Sequence, residues 1–413
     1  MIQTTASTQG FGPDFVLNMD DPAFIKDPYP TYAWLREQAP AYRWRPRGDA
    51  LVFTRYKDVK AIVMDRRFSN DYRFWEFAQE SRWPPEHAEY QELMNNGLFG
   101  LADADHTRVR RLVSGAFTPR AAERMREEIQ AVVDDLIATH VKGDRVDLTT
   151  ITEPLPIRVI SDMLKIPPHL HEEFRAFGLA VIRSSVLFTE PQELFATIAP
   201  MPRWIRMLRD VIEARRQNLL ENDLLSTLIT ARDEGQKLSE MEMISIVQAM
   251  IAAGSDTTVH ASNWALYSLL RHPEQLAKLR ADPSLIRNAI EESLRYDLFG
   301  KGGVPRFAKE ELELAGTKVR KGQMVIPFIP AALHDPEMFP APEHFDIQRD
   351  MSQTIAFGGG QHFCLGAALA RQELALVVGT LVQRFPKMKL LGEPELLAHP
   401  LMRAMGKLEV SLT

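Results

Sequence analysis

One helical stretch with both ends marked constrains this chain more than any other feature. Ser239 is followed three residues later by Glu242, a capping box in which each side chain satisfies the other residue's orphan amide. Helical periodicity then runs to Arg271 and stops just before His272-Pro273, because the residue preceding a proline avoids the helical region. A helix of roughly thirty residues spans about 45 Å at 1.5 Å per residue, enough to cross a whole domain. The rest of the chain has to be arranged around it. Helical periodicity recurs over 120–140, 170–184, 203–221, 284–297 and 366–384, and a short helix is expected around Ala33 to Arg36. Residues 50–56 and 312–328 read as strands with turns. The fold class is therefore mainly α with a small β portion.

Composition closes off several alternatives. A formal charge of -6 and a pI near 6.0 give no reason to expect nucleic acid as a partner. The N-terminus, MIQTTASTQGFGPDFVL, lacks the basic start and apolar core of a signal peptide. No run approaches the ~18 apolar residues of a membrane span. A single cysteine among 413 residues excludes an intramolecular disulfide and fits a reducing compartment. A soluble cytoplasmic protein is expected. No repeat, low-complexity tract or obvious linker divides it, and its 27 prolines are spread along the chain as punctuation.

That cysteine, Cys364, sits in AFGGGQHFCLGAALARQELAL, between three glycines and a helical run. Four readings compete for it. It is a buried structural thiol, a zinc ligand, a Cys-His nucleophile or a thiolate ligand to haem iron. Zinc lacks partners, since there is no second cysteine and His362 alone is too little. A histidine two residues away need not face the sulfur. A thiolate held out of water needs positive potential and hydrogen-bond donors. Glycines at 358, 359 and 360 open backbone conformations closed to other residues and permit close approach to a flat cofactor. A helix from about Leu365 offers free amides and a dipole that lower a thiol's pKa. An inert core cysteine needs none of these.

FGGGQHFCLGAALAR resembles the haem-binding signature of the cytochrome P450 family: a phenylalanine, two glycines, a variable stretch, a cysteine and a glycine. The resemblance implies that Cys364 is the proximal ligand to the iron of haem b. It also implies that Phe357 and Gly358 belong to the ligand loop, and that Gly366 lets the following helix lie near the haem. It runs from about DPYPTYAWLR (27–36) to the C-terminus, so residues 1–413 are expected to form one catalytic domain, a triangular prism with a long helix over the haem. It leaves no room for a fused reductase.

Three other segments carry the same resemblance. In EESLRYD, Glu292 and Arg295 lie three apart on one helical face and can pair. As a solvated surface pair they would contribute little. By resemblance they are the family's buried Glu-x-x-Arg, whose third member comes from a Pro-Glu-Arg-Phe-like stretch. Here that stretch is Pro342-Glu343-His344-Phe345, so an altered network is expected. AAGSDTT (252–258) is a poor helix centre, because Gly254 costs about 1 kcal/mol relative to alanine. It reads either as a small-residue helix crossing or as a turn loosened by a Thr257 bond to the Ala253 carbonyl, with room for a diatomic ligand and water. The resemblance implies the second. Ala253 and Gly254 then border the cofactor, Thr257 holds the hydrogen-bond network at bound O2, and Asp256 relays protons. It also marks His106, Arg110, Arg306 and His362 as partners of the haem propionates. Arg108, Arg111 and Arg371 would line an outer face able to dock an acidic ferredoxin.

The activity this implies is O2 activation, with hydroxylation or epoxidation of a small to medium hydrophobic molecule such as a terpenoid, steroid, fatty acid or natural-product intermediate. Electrons would come from NAD(P)H through a reductase and a ferredoxin or flavodoxin, and the enzyme would act as a monomer. Candidate pocket walls are Phe74, Trp75, Phe99, Val186, Leu187, Ala249 and Ala252, with Leu298 and Phe299 from LFGKGGV. The glycines of that last segment suggest a loose loop, and Leu298 stands where the family commonly has proline. Two alternatives keep the thiolate haem: a peroxide-driven or non-oxygenating enzyme, and a non-enzymatic sensor. The intact Asp256-Thr257 pair argues against the first, and the lack of a signalling module against the second.

Overall fold

In the computed structural model the described residues are 11–12, 14–78, 84–98, 100–101, 103–185, 191–221, 223–232 and 237–413. The long helix spans Glu240–Arg271 without interruption. Its capping box forms as expected: Ser239 Oγ accepts the Glu242 amide at 3.1 Å, and Glu242 Oε2 accepts the Ser239 amide at 2.8 Å. Around it pack the helices Pro154–Met163, His171–Ser184, Ile286–Tyr296 and Ala367–Arg384. The helix joins two hydrophobic cores. Met243 to Ala252 belong to one, with Ile160, Phe174 and Phe177, and Ala261 to Leu269 belong to the other, with Leu294, Leu374 and Val378. Residues 253–257 lie at the seam and join neither core.

The β portion is small. Its main sheet has five strands in the order Ala41–Trp44, Ala50–Phe53, Met324–Pro327, Arg306–Ala308 and Phe68–Ser69. Only the Ala50–Phe53 and Met324–Pro327 pair is parallel, with Leu51 opposite Val325. The strand expected over 50–56 ends at Phe53, because Tyr56 opens the helix Tyr56–Met64, its amide donating 2.8 Å to Asp335 Oδ2. The stretch expected over 312–328 divides into a hairpin, Leu312–Leu314 with Thr317–Val319, and the strand Met324–Pro327.

The segment 298–304 is pinned rather than loose. Leu298 is buried in the core. The Phe299 carbonyl accepts the Arg403 amide at 2.7 Å, and the Lys301 amide donates to the Leu401 carbonyl at 3.0 Å. The Lys301 side chain is buried and paired with Asp20 at 2.9 Å. A Cβ on Gly303 would stand 1.8 Å from the Pro327 carbonyl oxygen, so this glycine serves close packing.

Glu292 and Arg295 are both fully buried, which removes the surface-pair reading. Arg295 donates to the two Glu292 carboxylate oxygens at 2.6 and 2.8 Å and to the carbonyls of Pro342 and His344 at 2.8 and 3.2 Å. The third member is Arg349, whose Nε lies 3.3 Å from Glu292 Oε1. Arg349 also bonds the carbonyls of Pro340, Ala341 and His344. His344 offers only its backbone, while its exposed side chain lies by Glu343. The expected alteration is thus a relocation of the guanidinium. Arg349→Leu leaves Glu292 paired with Arg295 but removes the Arg349 bonds to Glu292 and to three carbonyls, so it should cost about 2 kcal/mol in urea unfolding. His344→Ala should stay within about 0.5 kcal/mol. The reverse ranking would place the third member at His344.

Candidate active site

The ligand loop is built from backbone constraints. Gly358 and Gly360 have φ of 73° and 62°, the left-handed region that favours glycine. A Cβ on Gly360 would stand 2.6 Å from the Val63 carbonyl oxygen, and one on Gly359 would stand 3.0 Å from Met64 Sδ. Two of the glycines therefore let the loop lie against the helix Tyr56–Met64, where close approach to a flat cofactor was expected. The Cys364 amide donates 3.0 Å to the Phe357 carbonyl, which closes the loop. Phe357 packs beneath Arg371, whose guanidinium lies 4.3 Å from the ring centroid. The helix after the cysteine begins at Ala367, with Gly366 as its N-cap residue.

Cys364 keeps an exposed face, yet burial pushes its thiol above the ordinary value. The Gly366 amide and the charges of Arg110 and Arg371 pull the other way without prevailing. The expected lowering by the helix terminus is therefore not met by the protein alone. A bound metal cation deprotonates a coordinating thiol outright.

His106, Arg110, Arg306 and His362 come together beside this loop. The rings of His106 and His362 are 4.3 Å apart, and Arg110 donates to the Phe363 carbonyl. Burial, with the charges of His106, Arg306 and Arg110, lowers His362 to about 3. Burial and Arg110 lower His106 to about 4, and burial alone lowers Arg306 to about 10. No carboxylate contributes to these shifts. His106 Nδ1 is buried with no hydrogen-bond partner among the described residues. Such a set is suited to an anionic ligand.

On the long helix, Thr257 Oγ1 donates 2.6 Å to the Ala253 carbonyl, the bond expected from the sequence. Ala253 is exposed in the middle of an otherwise largely buried helix. Gly254 and Ala252 behave differently from expectation. A Cβ on Gly254 would stand 2.4 Å from Ile160 Cδ1, and the Ala252 backbone approaches Gly178. Positions 252 and 254 of AAGSDTT thus serve crossings, while 253 and 257 remain accessible.

Asp256 has two partners that the sequence reading did not anticipate. Its Oδ1 lies 3.4 Å from His260 Nε2 and its Oδ2 lies 3.1 Å from His399 Nε2. Burial pushes this carboxyl up, but the two histidines outweigh it and hold it well below the usual carboxylate range. His260 was detectable as the i+4 neighbour of Asp256, whereas His399 had no local signal.

The remaining candidates divide. Arg108 pairs with Glu242 of the capping box, and Arg371 with Glu291, so neither is a free docking charge. Ala249, Ala252 and Leu298 are buried. Phe299 is partly buried against the same core as Leu298, and Phe74 and Trp75 against the core of the small lobe. Phe99, Val186 and Leu187 lie outside the described residues.

The family model for cytochrome P450 matches residues 28–396. The chain belongs to the cytochrome P450 family. It is 39% identical to the epothilone C/D epoxidase of Sorangium cellulosum, over 100% of this chain and 99% of that protein. It is 37% identical to the cytochrome P450 monooxygenase PikC of Streptomyces venezuelae, over 91% and 88% of the two chains. The solved structure of epothilone B-bound cytochrome P450epoK superposes with a TM-score of 0.87 at 38% identity, covering 96% of this chain and 99% of that one. Like these relatives the chain is a monooxygenase, and the family's cofactor is haem with O2 as co-substrate. The donor set fits that group, since an accessible cysteine stands beside four basic side chains unmatched by any carboxylate among the described residues. Among the described residues no helix is long and apolar enough to cross a membrane.

The Asp256 environment carries a pH signature. An unfolded aspartate titrates near 3.9, above the folded value, so the carboxylate's contribution is complete above about pH 4 and is lost as pH falls further. Wild-type Tm should therefore drop more steeply below about pH 4 than that of Asp256→Asn. Parallel curves would mean that the histidine contacts do not hold the carboxylate ionised.

Proposed function

We propose that this chain is a haem-thiolate monooxygenase that inserts one atom of O2 into a hydrophobic natural-product intermediate, by hydroxylation or epoxidation. The observation that carries the reading is the accessible Cys364 in its glycine loop beside the basic cluster of His106, Arg110, Arg306 and His362. In this reading Cys364 ligates the iron and the four basic groups hold the propionates. Haem so bound supplies the oxygen chemistry, with electron density pushed from the thiolate. The protein contributes position and protons. Thr257 presents its hydroxyl oxygen on the accessible side of the helix, its proton given to Ala253. Asp256, one residue earlier, takes protons up at its carboxylate oxygens and gives them onward.

The substrate class follows the relatives, among them an epothilone C/D epoxidase, a 6-deoxyerythronolide B hydroxylase and a mycinamicin IV hydroxylase/epoxidase. Electrons are taken to come from NAD(P)H through a reductase and a ferredoxin or flavodoxin, in the cytoplasm, to a monomeric single-domain enzyme. With Arg108 and Arg371 internally paired, docking rests on other groups.

The assignment of Thr257 is tested with a surrogate plant-type ferredoxin and its reductase. Thr257→Ala should keep haem and release a larger share of its NAD(P)H equivalents as hydrogen peroxide. General acid–base assistance is worth ~10²-fold or more, so the loss of productive turnover should be of that order. An unchanged peroxide yield per NAD(P)H would remove Thr257 from the mechanism. For the substrate class, epothilone D, 6-deoxyerythronolide B and mycinamicin IV are titrated for a low-to-high spin shift. No shift with any of the three would reject the natural-product assignment.

A further inference from the structure

His260 and His399 approach Asp256 from different parts of the chain, and the opposite edge of each ring is already committed. His399 Nδ1 accepts the backbone amides of Leu401 and Met402 at 3.1 and 3.0 Å. His260 Nδ1 accepts the Met405 amide at 3.4 Å. A ring nitrogen that accepts an amide proton carries none, so in each neutral ring the proton sits on Nε2. Both Nε2–H groups therefore face the carboxylate, at 3.4 Å from Oδ1 and 3.1 Å from Oδ2. The two rings stand 6.1 Å apart, near edge-on, and both are buried.

From this geometry we infer that His260 and His399 are positioning residues for proton delivery, a two-histidine clamp that fixes the ionised carboxylate of Asp256 next to Thr257. The inference rests on the reading of Asp256 as the proton relay. Neither ring is itself a shuttle, because passing a proton through an imidazole would require Nδ1 to release its backbone amides. Oδ2 is closed to solvent and has no well-aligned hydrogen bond among the described residues, whereas the side chain as a whole keeps 12% exposure. The carboxylate can accept a proton from water at Oδ1 and return to the ionised state when the proton moves on, with no other bond made or broken. The clamp also ties the long helix to the chain at 399–405, which joins the segment 298–304 through Arg403 and Met402. A purely structural tie would use the same contacts, so the test has to separate the two roles.

The readout is the share of NAD(P)H electrons that the holoenzyme, with surrogate ferredoxin and reductase and no added substrate, releases as hydrogen peroxide rather than water. Two electrons and two protons reduce O2 to peroxide, and four of each reduce it to water, so poor proton delivery raises the peroxide share. His399→Leu and His260→Leu should each slow water formation on the order of tenfold, within the ~10² that a 1 Å misplacement costs. His399→Gln should restore most of it, since glutamine can accept an amide at Oε1 and donate at Nε2. In the Asp256→Asn background His399→Leu should change the share no further, because residues acting as a unit are not additive. Full additivity, or no rescue by glutamine, overturns the clamp. If Asp256→Asn alone leaves the share unchanged, the relay reading fails instead. A second measurement needs no substitution in the protein being read: ¹⁵N spectra of the reduced, CO-bound holoenzyme should show both imidazoles protonated at Nε2 and bare at Nδ1, assigned by the signals missing from His260→Gln and His399→Gln. A proton on either Nδ1 also overturns the proposal.

Discussion

The buried ion network at Glu292 is the interaction on which the rest of the site depends. Two guanidiniums, Arg295 and Arg349, converge on one carboxylate that has no access to water. A charge so placed tolerates no slack, because each unmatched hydrogen bond would carry a large desolvation cost. The network therefore fixes the helix Ile286–Tyr296 against the chain at 340–349. Asn288 extends the same attachment by bonding the carbonyls of Ile347 and Arg349. From that anchor the chain passes Gln353, whose carbonyl accepts Tyr56 Oη at 2.7 Å, and enters the glycine loop. The same helix presents Glu291 to Arg371, which in turn covers Phe357. One rigid element thus sets both ends of the loop that carries Cys364.

Electrostatics around the cysteine follow a division of labour. The fold gathers the guanidiniums of Arg110 and Arg306 and the imidazoles of His106 and His362 where anionic groups of a cofactor would lie, with no carboxylate partner among the described residues. It does not supply enough of that potential to ionise the thiol, which burial keeps neutral. Ionisation then belongs to the iron, and the protein's contribution is the placement of the sulfur. On the long helix the balance is opposite, since Asp256 is kept ionised against burial by His260 and His399.

What was legible in the sequence was local. The capping box, the Thr257 bond to Ala253 and the pairing of Glu292 with Arg295 all join residues three or four apart, where helical geometry alone decides contact. The signature around Cys364 was legible because a glycine at positive φ and a lone thiol are both rare enough to restrict the options. What was not legible depends on chain segments far apart in sequence. Arg349 stands in for the arginine common at the position of His344, because a chain that folds back on itself can deliver a guanidinium from more than one position. Ile160 fills the space left by Gly254, so a residue read as room for a ligand is a packing contact. His399 reaches Asp256 only because the chain at 399–405 lies beside the long helix. The glycines of 300–303 read as looseness, although packing against Pro327 and Phe328 makes them constraints.

The central claim is that Cys364 binds haem iron as a thiolate, and the absorption spectrum of the reduced, CO-bound protein tests it most directly. A strongly red-shifted Soret band in the wild type, lost in Cys364→His, is the predicted result. A histidine-type band in the wild type, or a red-shifted band that survives in Cys364→His, would contradict it.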